Sequence, residues 1–253
     1  MAVSHKGAIS FGLVHIPVSL YTATQDNSIS FNQLHKENGQ RVKYKKFCPG
    51  FDDEVTTDEI VKGYEYEKEK YIVFTEDDFE KIKSEKDKTI QILHFTDISE
   101  IDSIYFEKSY FAVPDAGGDK AFELLRTAMF DEKKVAIAKS VIGTKETLLA
   151  ILPSIDGIVV ESLFYHNEIK PIPKTYNKQD VIPAELNMAK MLINSMVKSF
   201  EPTLYHDEYQ ERLKNAIELK IEGKEIVTPR QENKATVIDL MEALKASLEQ
   251  VAK

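Results

Sequence analysis

Lys6-Gly7-Ala8-Ile9-Ser10-Phe11-Gly12-Leu13-Val14, followed after one residue by Ile16-Pro17-Val18-Ser19-Leu20-Tyr21-Thr22-Ala23-Thr24, is the stretch from which the fold is read. Ile9, Phe11, Leu13 and Leu20 sit among alternating or continuous apolar residues, so residues 8–24 read as β structure. Gly12 and Pro17 are expected at bulge or edge positions.

The pattern continues outward. Arg41 to Phe47 alternates basic with apolar or aromatic residues, and Cys48-Pro49-Gly50 reads as a turn after that strand. Tyr71-Ile72-Val73-Phe74 is a short apolar strand. Thr75 and Asp78 form a capping arrangement for a short helix through Lys83. Thr89 to Phe95 alternates, with Ile90, Ile92 and His94 on one face and Gln91, Leu93 and Phe95 on the other. Tyr105–Val113, Val135–Ile142, Leu148–Leu152 and Ile158–Tyr165 add further strands. One helix interrupts them from Lys120 to Asp131, with Phe122, Leu124, Leu125 and Met129 as its stripe. Short strands at close spacing predict a barrel or sandwich rather than a parallel sheet.

Composition changes after Tyr165. Pro171 and Pro173 stiffen a connector. A helix then starts after Pro183 and ends before Pro202, with Leu186, Ala189, Leu192, Ile193, Met196, Val197 and Phe200 at three- and four-residue steps. A second runs from Glu208 to Glu222, with Leu213, Ala216, Ile217 and Ile221 inward and Gly223 as its stop. These helices carry more apolar surface than a helical hairpin needs. Leu192, Met196 and Phe200 share a face that serves either one subunit's core or a contact between subunits. Residues 224–235 read as a linker. Thr236 to Val251 reads as a lone amphipathic helix with Ile238, Met241, Leu244, Leu248 and Val251 as its stripe. Such a short helix needs a surface to lie on, its own core or a partner's groove.

The chain has 253 residues, net charge −9 and a single cysteine, Cys48. One cysteine allows no intramolecular disulfide and no CxxC zinc pair. No apolar run reaches transmembrane length, and the N-terminus lacks a signal-peptide core, so the expectation is a cytoplasmic protein. An acidic balance argues against nucleic-acid binding, but the charge is uneven. Residues 1–50 hold six Lys or Arg against two Asp or Glu; residues 51–120 hold nine against twenty. A protein can gather positive charge on one surface while the rest stays acidic.

Phosphate-loop, dinucleotide-loop, metalloprotease and serine-hydrolase motifs are all missing from the sequence. The six histidines are scattered, and Asp52-Asp53-Glu54 lacks calcium-loop spacing. No catalytic residue, metal ligand or cofactor is assigned. Lys36, Arg41, Lys43, Lys45 and Lys46 place five positive charges against Glu37 alone within eleven residues. In a strand, Arg41, Lys43 and Lys45 point to one side. Such a row suits a phosphate backbone, and it equally suits a solvated strand face.

The opening stretch, together with Phe31-Asn32-Gln33-Leu34-His35 and Ile60-Val61-Lys62-Gly63-Tyr64-Glu65-Tyr66, resembles the bacterial Ku proteins. Gly143-Thr144-Lys145-Glu146, Phe200-Glu201-Pro202, Gly223-Lys224-Glu225-Ile226 and Val237-Ile238-Asp239-Leu240-Met241 keep that family's order, so the resemblance spans nearly the whole chain. His5 stands where many relatives carry tryptophan.

The resemblance implies an α+β protein. Residues 1–182 would form a Ku-type β-barrel with a DNA-encircling bridge at 39–70, residues 183–226 a helical arm making the dimer contact, and 227–253 a linker and C-terminal helix. It implies a non-enzymatic homodimeric ring at the nucleoid, without membrane association. The ring would bind double-strand DNA ends without sequence specificity and recruit an ATP-dependent DNA ligase for non-homologous end joining. It favours phosphate contact for the basic cluster and adds Lys139, in a β segment similar to a DNA-facing region of the family. It also favours Leu192, Met196 and Phe200 as dimer contacts, and Ile238, Met241, Leu244 and Leu248 as ligase-binding anchors. Two other readings stand beside it: a protein-interaction scaffold without DNA, and a metal-dependent nuclease, which would need clustered acids on strand ends.

Overall fold

The computed structural model describes residues 3–50, 53–82, 89–143, 145–173, 175 and 179–226. Nine strands and four α-helices appear among them. Seven strands close a barrel: β1 (Val3–Phe11), β2 (Val14–Thr22), β6 (Phe106–Pro114), β9 (Ile158–Leu163), β8 (Lys145–Pro153), β7 (Val135–Ile142) and β5 (Thr89–Thr96), in that order around the wall. Every neighbouring pair is antiparallel except the closing one. There β1 and β5 run parallel through Ala8–Thr89, Ile9–Ile90 and Ser10–Gln91. The remaining pair, β3 (Lys62–Glu67) and β4 (Lys70–Phe74), is a separate hairpin.

The two-residue period of the strands fills the barrel. Ile16, Val18 and Leu20 on β2, Leu149 and Ile151 on β8, and Ile158 and Val160 on β9 are all buried. Ala136 and Ala138 on β7 leave room for the larger residues facing them. Helix α2 (Asp119–Asp131) sends Phe122, Leu125 and Met129 into the same cluster. Leu124, expected in its stripe, is exposed, because it sits one position off that face.

Three further expectations for the strands are corrected. Gly12 is not a bulge. With Leu13 it forms the two-residue turn between β1 and β2, and its φ of +58° is the left-handed conformation a glycine-first hairpin turn requires. Leu13 and Phe11 are consequently exposed at the hairpin end. In β5 the alternation fails because the register slips between Ile92 and His94. A bulge re-aims the side chains after it, so His94, expected on the inward face with Ile90 and Ile92, is exposed along with Leu93 and Phe95. Phe95 meets Phe11 edge-on at 5.4 Å. Arg41–Phe47 is not a strand either; it holds only isolated bridges at its ends, Leu34–Arg41 and Phe47–Glu54.

Short-range capping matches the sequence closely. Asp78 Oδ2 accepts from the Thr75 amide at 2.9 Å and hydroxyl at 2.7 Å, starting α1 (Glu76–Ile82). These bonds hold the Asp78 carboxyl below its usual range.

Packing divides the chain into two units. The first holds the barrel and runs to Asn27 and over Asn32–Pro171. The second takes Ser28–Phe31 and everything described from Ile172 onward. In the second, α3 (Pro183–Met196) ends earlier than expected. Val197 turns extended, so Val197 and Phe200 lie off the helix, and Phe200 stacks instead on Tyr205 at 5.5 Å. Helix α4 (Glu208–Ile221) is closed by Gly223 at φ +72°, as read, and capped by Asp207, which the reading did not name; Ile221 is exposed. Gln210 Oε1 accepts from the Ile29 amide at 3.1 Å, tying the short N-terminal segment to α4.

Gly118, on the approach to α2, has little room for a side chain. The Asp115 amide donates to Pro17 O at 2.9 Å, Ser19 Oγ donates to Asp115 Oδ1 at 2.9 Å, and Gly118 N donates to Asp115 O at 2.9 Å. A Cβ on Gly118 would lie 2.9 Å from Pro17 O, a backbone atom that cannot swing aside. Gly118→Ala should therefore cost about 1–3 kcal/mol, the usual range for overpacking, seen as a lower denaturation midpoint. Gly157→Ala, where a Cβ meets nothing within 4 Å, should stay within about 0.5 kcal/mol.

Candidate nucleic-acid interface

The basic cluster lies on a long exposed excursion between β2 and β5. Among the described residues from Phe31 to Val73, all but Val55 are exposed. With no core beneath it, local hydrogen bonds hold the shape. The first hairpin is closed by Val42 N to Gln33 O at 2.9 Å and His35 N to Gln40 O at 2.8 Å, with Gly39 at φ +67° in its turn. Lys36 sits at this turn and Arg41 at its returning edge. A second hairpin follows, closed by Val55 N to Lys46 O at 2.9 Å, and Pro49-Gly50 turns at its tip. A third is β3–β4, of which the sequence reading gave β4 as the strand Tyr71–Phe74 and missed β3. Its signal was present in the alternation of Tyr64 and Tyr66, the first of which pairs with Ile72.

The five cations do not form one row. Without a continuous strand there is no fixed alternation to align Arg41, Lys43 and Lys45. Lys45 Nζ pairs with Glu54 at 2.8 Å, which raises the lysine above its ordinary range. Lys46 Nζ reaches Thr57 Oγ1 at 3.4 Å.

Lys139 lies on the barrel wall, and the structure surrounds it with partners no spacing rule could name. On β7 it pairs directly with Leu148 of β8, so Glu146, two residues away on β8, is its diagonal neighbour on the same face. Lys139 Nζ meets Glu146 Oε1 at 3.0 Å and lies 5.7 Å from the Tyr165 ring centroid. Tyr165 Oη donates to the same Glu146 Oε1 at 2.9 Å. Next to it, Lys145 Nζ pairs with Glu168 at 2.6 Å, and Glu168 also accepts from the Tyr165 amide at 2.8 Å. Those two bonds hold the Glu168 carboxyl below its usual range.

Comparison with known proteins decides the family. The family model described as the Ku70/Ku80 beta-barrel domain matches residues 10–188. The chain belongs to the Ku family. It is 56% identical over 251 residues to the non-homologous end joining protein Ku of Lachnoclostridium phytofermentans, covering 99% of this chain and 98% of that one. The protein of the same name from Archaeoglobus fulgidus is 41% identical over 254 residues, covering 99% of this chain and all of that one. The Bacillus subtilis protein is 40% identical over 254 residues, covering 98% and 82%. The closed seven-stranded barrel is the Ku barrel, and with its helices the chain is α+β.

Among the described residues, no group of three or more His, Cys, Asp or Glu is placed to hold a metal ion. No described helix is long and apolar enough to cross a membrane. In the helical unit, Leu192 is half-buried, while Met196 is 61% and Phe200 77% exposed. Leu192 and Met196 share α3; Phe200 does not join their face. Ile238, Met241, Leu244 and Leu248 lie outside the described residues.

Burial and the bond to Glu146 push the Tyr165 hydroxyl up to about 12. A raised phenol favours the folded state below the ordinary value near 10, and that contribution is lost as pH rises through about 12. The wild-type minus Tyr165→Phe difference spectrum should hence show no tyrosinate at about pH 10.5, above the ordinary tyrosine value. A full tyrosinate signal there would contradict the hydrogen-bonded geometry.

Proposed function

We propose that this Ku-family chain binds double-strand DNA ends as a homodimeric ring, without reading sequence, and delivers them to an ATP-dependent DNA ligase. It makes and breaks no covalent bond itself, and it acts on the nucleoid in the cytoplasm. The observation that carries the reading is the excursion from Phe31 to Val73, exposed almost throughout and bearing Lys36, Arg41, Lys43, Lys45 and Lys46. A segment with this little burial needs an outside surface to order against. Its lysines and arginine suit phosphates, which position a protein on duplex without conveying sequence. In this reading residues 39–70 are the bridge over the duplex, and Lys139 adds a contact from the barrel.

The dimer reading rests on the helical unit. Neither α3 nor α4 has a buried residue, although Met191, Ile193 and Met196 are all on α3. A two-fold contact lets one apolar face meet its own copy. Phe200 would contribute from the extended segment after the helix.

End-selective binding is the direct test. Linear duplex should bind at least about ten-fold better than a covalently closed circle of the same sequence, because phosphate contacts alone do not distinguish the two. Equal affinity removes the ring reading, and no binding to either supports the scaffold. DNA cleavage that requires magnesium supports the nuclease. Met196→Glu places a charge on a face already exposed in the single chain, so folding should survive. A charge desolvated in an interface costs several kcal/mol, and sedimentation should show monomers that no longer retain DNA. A folded, dimeric Met196→Glu variant would move the contact elsewhere.

The ligase reading rests on the stripe Ile238, Met241, Leu244 and Leu248. Deleting residues 236–253 should leave dimerisation and end binding intact while abolishing stimulation of ligation. Loss of DNA binding on truncation would assign that segment to the fold instead.

A further inference from the structure

Lys139 and Tyr165 converge on one oxygen. The ammonium lies 3.0 Å from Glu146 Oε1 and the phenol oxygen 2.9 Å from the same atom. A cation and a hydroxyl donor aimed at one anionic oxygen form an anion site, and in the free protein that site holds an internal carboxylate. A phosphate oxygen has the same charge sign and accepts the same two donors. The donors are held in place by the fold. Lys139 is fixed in the β7–β8 register, its ammonium over the Tyr165 ring at 5.7 Å from the centroid. Tyr165 is half-buried, and its backbone amide is bonded to Glu168. Glu146 is the more exposed of the ion pair, at 56% against 39% for Lys139, and it lies near the turn of the hairpin, paired with Val141.

We propose that Glu146 is an internal phosphate mimic: it occupies the Lys139–Tyr165 site in the DNA-free protein and is displaced by a backbone phosphate when duplex enters. This rests on the DNA-binding reading and adds to it a residue, Tyr165, and a competition. The competition sets the affinity below what the cations alone would give. In an acidic protein that must leave the DNA after joining, a carboxylate that reclaims the lysine favours release. The pair Lys45–Glu54 at 2.8 Å shows no second converging donor among the described residues, so Glu146 is the sharper test of the idea.

The experiment measures binding to linear duplex across a salt series for wild type, Glu146→Gln, Lys139→Gln, Tyr165→Phe and the Glu146→Gln/Lys139→Gln double variant. Glutamine keeps the shape of Glu146 and can still accept from Tyr165, so the hairpin should fold. Glu146→Gln should tighten binding about two- to five-fold per protomer, the size of one exposed ion pair. Its salt dependence should steepen by up to about 0.9 per protomer, because no displaced carboxylate then takes up a cation to offset one released from the DNA. Lys139→Gln and Tyr165→Phe should each weaken binding, and the gain from Glu146→Gln should vanish in the double variant.

Asp131→Asn, which changes net charge equally at the exposed end of α2, controls for bulk charge and should not steepen the salt dependence. If Lys139→Gln weakens binding while Glu146→Gln does not tighten it, the competition is refuted and the lysine contact stands. If neither variant changes binding while wild type prefers linear duplex, Lys139 is no contact and the inference falls alone. If wild type shows no preference for linear duplex, the end-binding reading fails, whatever Glu146 does.

Discussion

Seven strands cannot close into a barrel by antiparallel pairing alone, since alternating directions around an odd ring leave one pair running the same way. Here that pair is β1 with β5, over the three partners Ala8–Thr89, Ile9–Ile90 and Ser10–Gln91. The placement has consequences well beyond the barrel. Strand β2 ends at Thr22, close to where β1 begins, because the two are antiparallel. Strand β5 is entered from that same direction because it runs parallel to β1, although its first residue, Thr89, pairs with Ala8, past the middle of β1. The chain between them therefore leaves and re-enters the wall from one direction, with only β1 between the two strands. A segment rooted this way can extend outward without disturbing the wall. It carries the basic cluster and has no core of its own.

Much of the barrel was legible because its strands obey a simple rule. Ile16, Val18 and Leu20 alternate, and so do Leu149 with Ile151 and Ile158 with Val160; all are buried where a period of two places them. The failures have local causes. A bulge at Leu93 re-aimed the second half of β5, and Gly12 became a turn instead of a bulge because Leu13 alone completes the loop. Val197 left the helix although its spacing fits, because spacing records which residues share a face and not where the hydrogen bonds stop. Register was the deeper limit. The sequence reading did not pair β7 with β8, so it could not place Lys139 level with Leu148, from which the contact with Glu146 follows; Tyr165 comes from beyond β9.

Charge is the second theme. With a net charge of −9, any attraction to DNA depends on where the cations lie and not on their total. Several of them are spoken for. Lys45 is paired with Glu54, Lys139 with Glu146 and Lys145 with Glu168. Exposed pairs like these contribute little to stability, and they are weak enough for a phosphate to replace. The apolar faces follow a similar logic. Both α3 and α4 are wholly without buried residues, which is the ground on which the dimer contact is proposed.

The central claim is that the exposed excursion and the dimer contact together enclose the duplex. Topological trapping tests it most directly. Protein is loaded onto linear duplex, the ends are then sealed into a circle, and the complex is washed in salt high enough to screen phosphate contacts. Encirclement predicts that the protein stays on the sealed circle through the wash and leaves once the circle is cut open. Release from sealed and open DNA at the same salt concentration would contradict it.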